Sequence, residues 1–379
     1  MELIFSNVVL ATQDELFAGS LAVKDGVIRA MDRGAAGAAG AIDGEGDYFL
    51  PGLIDVHTDN LEKHFQPRPA VVWPSPVSAV LAHDRDMVGA GVTTVYDALS
   101  LGDYDSSGVR RRMLDMGIEA VTTAHARGLL KADHFLHFRC EISDRSMTEI
   151  YDANADNPRL GLISLMDHTP GQRQWRDLAI YREFRRKKNA RVWSDAEWTA
   201  YIDERREHQT AYAAPFRAHI RRAALARGVA LASHDDTTIE DVDHARAEGV
   251  TISEFPTTIE AAEHARAKGL KIVMGGPNVV LGRSHSGNVS ARDLAARGLL
   301  DALSSDYVPA SLLEGAFALG ELMSLPAAIA TVTANPAAML SLSDRGRLAP
   351  GLRADLVRVR MIDGLPVIRG VWSRGERLM

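Results

Sequence analysis

The stretch PGLIDVHTD, residues 51–59, decides the fold class that this sequence predicts. It is an apolar strand that ends in polar residues, and His57 and Asp59 lie two positions apart, so their side chains project from the same face. Seven later segments have the same form, an apolar run that finishes in polar residues. They are VTTVYDAL (92–99), FLHFRCEI (135–142), GLISLMDHT (161–169), VALASHDDT (229–237), TISEFPTT (251–258), KIVMGGPN (271–278) and ALSSDYV (302–308).

Helical patterns lie between many of these strands. SAVLAHDRDMVGAG (78–91), TIEDVDHARAEG (238–249) and TIEAAEHARAKG (258–269) each begin with a polar cap, continue as an Ala-rich amphipathic stretch and end at Gly. Eight strands with polar tips predict an α/β fold, a TIM-like (β/α)8 barrel whose chemistry gathers at the carboxyl ends of the strands. A doubly wound open sheet is the alternative, and it would not need residues of the first and last strands to meet.

The two ends of the chain read differently from its middle. Residues 1–50 and 341–379 contain short strands and hairpin turns such as Lys24-Asp25-Gly26, so we expect them to form one small β-sandwich domain. The metal-dependent barrel then occupies residues 51–340. A highly charged interval at about 170–227 is too long for a plain crossover and predicts an insertion of two or more helices. It either caps the active-site mouth or forms a solvated hairpin or an oligomer contact.

Composition narrows the function classes. The 379 residues carry a formal net charge of −7, which argues against a protein that binds nucleic acid or a membrane surface. The single cysteine, Cys140, excludes an internal disulfide and is typical of a reducing compartment. The N-terminus has Glu2 where a signal peptide would be basic. We therefore expect a cytoplasmic protein, and its size favours a homo-oligomer.

The strand ends carry residues that bind metals. We predict that these side chains converge at the barrel mouth: His57, Asp59, Glu141, His168, His234, Glu254 and Asp306. Imidazole and carboxylate together suit Zn²⁺, with Mn²⁺ or Fe²⁺ as alternatives. The set is large enough to hold two ions with a bridging carboxylate, and Asp306 on the last strand would take the proton from an attacking water. The pattern indicates a hydrolase.

Each of these residues also has an ordinary interpretation, because a lone His or Asp at a strand end is most often a cap or a loop hydrogen-bonding group. So many buried polar tips without a charge to satisfy them would be costly, which favours the metal site. Asp235 and Asp236 are expected to orient His234 or to cap a helix. The remaining histidines are expected at the surface or behind the ligands: His64, His83, His125, His134, His137, His244, His264 and His285.

The metal pair after PGLID, the strand-five His, the strand-eight Asp and GRLAPGLRADLVRV (346–359) resemble the amidohydrolase superfamily. Three longer motifs narrow the resemblance: HTDNLEKHFQPRP (57–69), SLMDHTPGQRQ (164–174) and GGPNVVLGRSHSGNVSA (275–291). They are similar to the PhnM family, the α-D-ribose 1-methylphosphonate 5-triphosphate diphosphatases of the carbon–phosphorus lyase pathway. The resemblance covers essentially the whole chain.

This resemblance implies a phosphorylated ribose phosphonate as substrate, cleaved to the 5-phosphate and pyrophosphate with two divalent metal ions. Strand four lacks the carboxylated lysine common in the superfamily, so the bridging ligand would be Glu141. Strand six has Glu254 where a His is usual, and Glu254 could equally be an outer group behind the ligands or a substrate contact. It stays open whether His168 or Glu254 completes the second metal site, and Asp167 beside His168 is a candidate for an outer position.

The resemblance also implies contacts for a triphosphate. Basic groups and a Gly-rich loop near the proposed ligands are the candidates, since guanidinium groups and loop N–H groups bind anions. They are Lys63, His64, Arg68, Arg173, Arg283 and the stretch Gly275–Asn278 with the side chain of Asn278. Two alternatives remain: a cyclic-amide hydrolase or deacetylase of the same superfamily, and a catalytically silent barrel that serves as a scaffold.

Overall fold

The computed structural model describes residues 2–68, 71–102, 109–189, 192–284 and 287–379. Within these ranges the strands are β1 (Glu2–Ala11), β2 (Leu16–Lys24), β3 (Val27–Arg33), β4 (Ile42–Asp43), β5 (Tyr48–Pro51), β6 (Leu53–Thr58), β7 (Val92–Leu101), β8 (Asp133–Glu141), β9 (Leu160–Met166), β10 (Ala230–His234), β11 (Ile252–Glu254), β12 (Lys271–Gly275), β13 (Ala302–Ser304), β14 (Leu356–Ile362), β15 (Leu365–Ser373) and β16 (Glu376–Arg377).

The helices of the same ranges alternate with the middle strands. They are α1 (Asn60–Phe65), α2 (Pro76–Gly89), α3 (Val109–Ala126), α4 (Met147–Asn154), α5 (Leu178–Asn189), α6 (Asp195–Arg227), α7 (Ile239–Ala247), α8 (Ile259–Ala267), α9 (Gly276–Leu281), α10 (Ala291–Ala296), α11 (Ser311–Leu319), α12 (Leu325–Ala330) and α13 (Ala334–Met339). A single 3₁₀ turn, Arg173–Trp175, precedes α5. In the described part of the chain, no helix combines the length and apolar character that crossing a bilayer requires.

Strands β6 to β13 form one parallel sheet in which each strand pairs with the next along the chain. The sheet closes on itself because Thr58 bridges to Asp306, the Asp59 N–H donates to the Asp306 carbonyl at 2.6 Å, and the Asp306 N–H donates to the His57 carbonyl at 3.0 Å. All eight segments expected from sequence contain a barrel strand. The barrel is thereby confirmed, and the open-sheet alternative is wrong.

The barrel is filled by side chains from inside its strands. One buried cluster takes a residue from seven of the eight strands: Val56, Tyr96, Leu162, Ala232, Ile252, Val273 and Ala302. A larger cluster lies between the outer face of the strands and the surrounding helices. The strands read as nearly continuous apolar runs because both of their faces are covered. The interior is packed, so the polar strand ends are the part of the sheet left to form a site.

The chain ends meet in a second sheet, with the strand order β16-β15-β14-β5-β1-β2-β3 and β4 alongside β1. Strand β5 joins the two termini, because it pairs with β1 on one side and with β14 on the other. The rings of Phe5, Phe49 and Trp372 pack at its core, with centroids 4.9 to 5.9 Å apart. The predicted union of both termini in one small β unit is confirmed.

The charged interval between β9 and β10 forms a helical hairpin, α5 and α6. A capping box starts α6, in which Ser194 and Glu197 satisfy each other's backbone N–H groups. The helix ends at Gly228, whose φ of 67° is the left-handed conformation that stops a helix. Aromatic side chains join the two helices: Trp175, Tyr181, Trp193, Trp198 and Tyr201.

Candidate metal centre and substrate cavity

A cavity of about 370 Å³ opens at the carboxyl ends of the barrel strands. Its wall includes the strand-end residues His57, Asp59, Glu141, His168, His234 and Asp306. This is the end of the barrel at which the fold predicts chemistry, and the volume lies in the usual range for small-molecule sites.

The first group of candidate ligands joins the first and last strands. His57, Asp59 and Asp306 each offer an atom within 4.8 Å of the others. His57 Nε2 lies 3.6 Å from Asp59 Oδ1, and it is buried with no hydrogen-bond partner. The backbone bonds that close the barrel between Asp59 and Asp306 hold this group together.

The second group joins strands four and five. Asp235 Oδ2 lies 3.6 Å from His168 Nε2 and 3.7 Å from His234 Nε2. This oxygen is also buried and without a hydrogen-bond partner. The two groups are neighbours, since the ring centroids of His57 and His234 are 6.2 Å apart.

Two carboxylates behind the imidazoles set their orientation. Glu254 accepts from Nδ1 of His57 and from Nδ1 of His234, both at 2.7 Å. Glu141 accepts from Nδ1 of His168 at 2.6 Å. Because each Nδ1 is held as the protonated nitrogen, the Nε2 lone pair of all three rings is left on the opposite side. Such outer carboxylates are the usual support of metal-binding histidines.

The site is electrostatically negative. Burial alone would lower the pKa of His57, but the carboxylates of Glu254 and Asp59 outweigh it and raise this pKa to about 10. Burial alone would also lower the pKa of His168, but the carboxylates of Glu141 and Asp235 raise this pKa to about 10. The same field that favours a proton on these rings favours any other cation held between them.

Three strand-end residues have left-handed backbone conformations. Asp235 after β10, Phe255 after β11 and Asp306 after β13 have φ values of 56°, 56° and 54°. This conformation costs a non-glycine residue on the order of 1 kcal/mol or more, and it persists where the surrounding structure imposes it. Two of the three are carboxylates of the candidate ligand groups, so the strain lies at the site.

Arg139 is a site residue that the sequence analysis missed. Its Nη1 donates to both carboxylate oxygens of Asp59, at 2.8 and 2.9 Å. Arg139 lies two positions before Glu141 on β8, so the period-2 pattern of the strand places it on the same face. That spacing was the available signal.

Asp235 was expected only to orient His234 or to cap a helix. Its unpartnered Oδ2 instead lies between the imidazoles of His168 and His234.

The helical hairpin forms one wall of the cavity. Trp175, Tyr181, Phe184, Arg185, Tyr201 and Arg205 all line it, together with Asn278 and Arg283 from the segment after β12. This position favours the capping interpretation of the insertion. The arginines of the hairpin were not among the predicted phosphate contacts.

Several predicted residues are not brought into the cavity wall that the described residues form. Lys63 Nζ donates to the Tyr307 carbonyl at 3.3 Å, His64 pairs with Asp86 at 3.1 Å, and Arg68 lies beside Val71.

Arg173 and Asp167 act from behind the site. Arg173 is buried and donates to the His234 carbonyl at 2.7 Å and to Asp236 at 3.0 Å. Asp167 accepts from the Thr169 hydroxyl and from Gln209 of α6.

Among the other histidines, His137 lies behind the ligands as expected, whereas His83 and His134 are fully buried in the flank of the barrel. Of the two expected locations, the surface or a position behind the ligands, they do not occupy the surface. His285 lies outside the described residues.

The sequence model of the amidohydrolase family matches residues 48–378. The chain belongs to the amidohydrolase family. One relative is 44% identical over 380 residues, covering 99% of this chain and 100% of the relative: the alpha-D-ribose 1-methylphosphonate 5-triphosphate diphosphatase of Escherichia coli (strain K12).

Solved structures confirm the amidohydrolase fold. A 5-methylcytosine deaminase from Klebsiella pneumoniae has a TM-score of 0.67 at 14% identity, covering 100% of this chain and 97% of that one. An N-acetylglucosamine-6-phosphate deacetylase from Pasteurella multocida has a TM-score of 0.66 at 11% identity, covering 100% and 99%. At these identities the likeness concerns the fold alone.

Proposed function

We propose that this protein is a metal-dependent diphosphatase that hydrolyses α-D-ribose 1-methylphosphonate 5-triphosphate to the 5-phosphate and pyrophosphate in phosphonate catabolism. The observation that carries the proposal is the 44% identity, over essentially the full length of both chains, to a relative with that activity. The cavity at the barrel mouth is lined by both acidic and basic side chains, which agrees with an anionic substrate that reacts beside cations.

Two divalent cations, with Zn²⁺ as the first choice, fit the two ligand groups. His57 Nε2 and Asp235 Oδ2 are buried polar atoms without partners, and leaving such an atom unsatisfied costs about 1–3 kcal/mol. We assign one ion to His57, Asp59 and Asp306, and the other to His168, His234 and Asp235. When bound, such ions polarise a phosphoryl group and lower the pKa of a coordinated water.

The outer residues hold this set in place. Glu141, predicted as the bridging ligand, has both oxygens engaged by His168 and Ser143, so we assign it the orientation of His168. Glu254 orients His57 and His234 and is not assigned as a ligand. Arg139 fixes the carboxylate of Asp59, and Arg173 fixes the backbone of His234.

Asp306 is the proposed proton acceptor. Water adds across the anhydride between the α and β phosphates, its oxygen bonding to phosphorus as the bridging P–O bond breaks. One proton of that water passes to Asp306, and pyrophosphate departs with the electrons of the broken bond. A carboxylate on the last strand, hydrogen-bonded through its backbone to the first, is held at a fixed position for this transfer.

The test is turnover of the ribose phosphonate triphosphate by metal-loaded protein, with pyrophosphate and the 5-phosphate both quantified. We expect one pyrophosphate for each 5-phosphate, and none after chelation. Hydrolysis of cyclic amides or N-acetyl sugars without pyrophosphate release would favour the amidohydrolase alternative. Absence of any turnover by metal-loaded, folded protein would favour the scaffold.

A further inference from the structure

The α5–α6 hairpin brings two guanidinium groups to the cavity wall, Arg185 from α5 and Arg205 from α6. The Cζ atom of each lies 5.3 Å from the centroid of the same ring, that of Tyr201. One ring is therefore flanked by two cations at the edge of a cavity. Guanidinium groups bind phosphate oxygens through paired hydrogen bonds, so both arginines are candidates to contact an anion in the cavity.

The two arginines sit on a rigid support. The Tyr181 and Tyr201 hydroxyls are 2.9 Å apart, and the Tyr201 ring stacks on Trp198 with a centroid distance of 5.7 Å. Trp198 is itself buried, so the packing between the helices restricts the position of both guanidinium groups at the cavity wall. A preorganised pair of this kind loses less side-chain entropy on binding an anion.

The hairpin is also tied to the ligand groups. Gln209 of α6 donates to Asp167 Oδ2 at 3.3 Å, and Asp167 directly precedes His168. The acidic ligand groups at the strand ends and the two arginines of the hairpin line one cavity. A chain of phosphates with one end at the ligand groups would extend towards the hairpin.

We propose that Arg185 and Arg205 bind the terminal phosphates of the substrate, the part that leaves as pyrophosphate. This inference rests on the proposed diphosphatase function and adds the binding site of the leaving pyrophosphate. Each guanidinium group can pair with two oxygens of one phosphate, so two guanidinium groups suit two adjacent phosphates better than one. The pair makes the enzyme selective for a 5-triphosphate over a 5-diphosphate, and it holds pyrophosphate as an inhibitory product.

The experiment is calorimetric titration of the metal-loaded protein with pyrophosphate, and with inorganic phosphate for comparison. We expect Arg185→Ala and Arg205→Ala each to weaken pyrophosphate binding at least about tenfold, the loss of a charge-assisted hydrogen bond, and to affect phosphate less. Arg186→Ala is the matched control, because this neighbour on α5 pairs with Glu183 at 2.7 Å on the exposed face and does not line the cavity. Arg185→Lys and thermal melting separate a lost contact from a misfolded hairpin.

The outcomes separate the two proposals. If both folded alanine variants turn over substrate at the wild-type rate and bind pyrophosphate with unchanged affinity, the pyrophosphate site at Arg185 and Arg205 is overturned. The proposed diphosphatase function is not affected by that result. A wild-type protein that neither releases nor binds pyrophosphate would overturn the function, and the pyrophosphate site with it. An equal rise in KM for triphosphate and diphosphate in the variants would also contradict the assignment to the terminal phosphates.

Discussion

We call the two groups of candidate ligands the mouth groups: His57, Asp59 and Asp306, and His168, His234 and Asp235. The barrel contains a further histidine–carboxylate cluster that resembles them but differs in the partners of its ring nitrogens. In its flank, His83 Nε2 and His134 Nδ1 lie 2.7 and 2.8 Å from the two oxygens of Asp97. We call these three residues the flank cluster. Their spacing would suit a metal as well as that of the mouth groups does. All three are fully buried.

The difference lies in the remaining nitrogens. In the flank cluster His83 Nδ1 contacts the Asn60 amide at 2.9 Å and His134 Nε2 contacts Asp84 at 3.2 Å, so each ring nitrogen has a partner. At the mouth, His57 Nε2 has none. Proximity of His and Asp therefore does not by itself mark a candidate metal site. The mouth is distinguished by the unpartnered His57 Nε2 beside the cavity.

The flank cluster instead joins elements of the barrel wall. Asp84 of α2 also accepts from the backbone N–H groups of Lys131 and Ala132, just before β8. Asn60 begins α1 directly after Asp59, so the cluster also supports the turn that follows a proposed ligand. We therefore expect changes at the mouth to affect chemistry, and changes in the flank to affect stability.

Asp306→Asn should have the largest effect. The amide keeps the shape of the side chain and an oxygen that can bind a metal, but it accepts no proton. We expect kcat to fall by about a thousandfold or more, within the range for loss of a general base. Pyrophosphate release measures the rate, and elemental analysis of the purified variant should find nearly the wild-type metal content. Turnover within tenfold of wild type would contradict the assigned role.

His134→Ala should be the next largest change, and it acts on folding. It leaves Asp97 and Asp84 buried with one partner fewer, and breaking a buried charged pair costs about 3–5 kcal/mol of unfolding free energy. Chemical denaturation measures this loss, and metal content should stay that of wild type. Loss of a metal equivalent in the folded variant would show that the flank cluster binds an ion.

The stabilising effect of His134 should depend on pH. Burial alone would lower its pKa, but Asp97 and Asp84 raise it to about 10 from an ordinary value of 6.5. The folded protein thus holds a proton that the unfolded chain releases between these values. The stability difference between wild type and His134→Gln should be full below about pH 6.5 and vanish as pH rises through 10. A difference that grows with pH would contradict the charged state.

The fold could be predicted because its signals are local. Each barrel strand is an apolar run ending in a polar tip. Closure of the barrel then brings His57 and Asp306 together, because Thr58, the neighbour of His57, bridges to Asp306 across 248 positions of sequence. The position of Glu254 in the sequence could not decide whether it is a metal ligand, an outer group that orients the ligands or a substrate contact. Its orienting role depends on two rings from other strands lying over one carboxylate.

Proximity in sequence to the ligands predicts the phosphate contacts only in part, since Asn278 and Arg283 line the cavity but Lys63 does not. Lys63 lies four residues after Asp59, but α1 carries it towards Tyr307. Arg185 and Arg205 line the cavity on a hairpin whose two helices are joined by aromatic packing. That packing is tertiary, and no local pattern in the charged sequence marks it.

Glu254→Gln tests the support beneath the mouth groups and should have an intermediate effect. The amide has only one oxygen to accept from two Nδ1–H groups, so one of His57 and His234 loses its anchor. Loss of such an outer carboxylate typically lowers metal affinity about 10–100-fold. Titration with Zn²⁺ against a competing chelator measures the affinity, with wild-type melting temperature as the control. Unchanged affinity would show that the rings are oriented by other contacts.

Lys63→Ala should have the smallest effect, although this residue was first expected to contact the triphosphate. Its Nζ donates to the Tyr307 carbonyl at 3.3 Å and does not line the cavity, whereas Arg205 does. We expect the KM for the triphosphate to change less than about threefold, against about tenfold or more for Arg205→Ala. Steady-state kinetics of the two variants side by side gives the ratio. A larger effect at Lys63 than at Arg205 would reverse the assignment and place the terminal phosphates over α1, because each guanidinium or ammonium acts only where the anion lies.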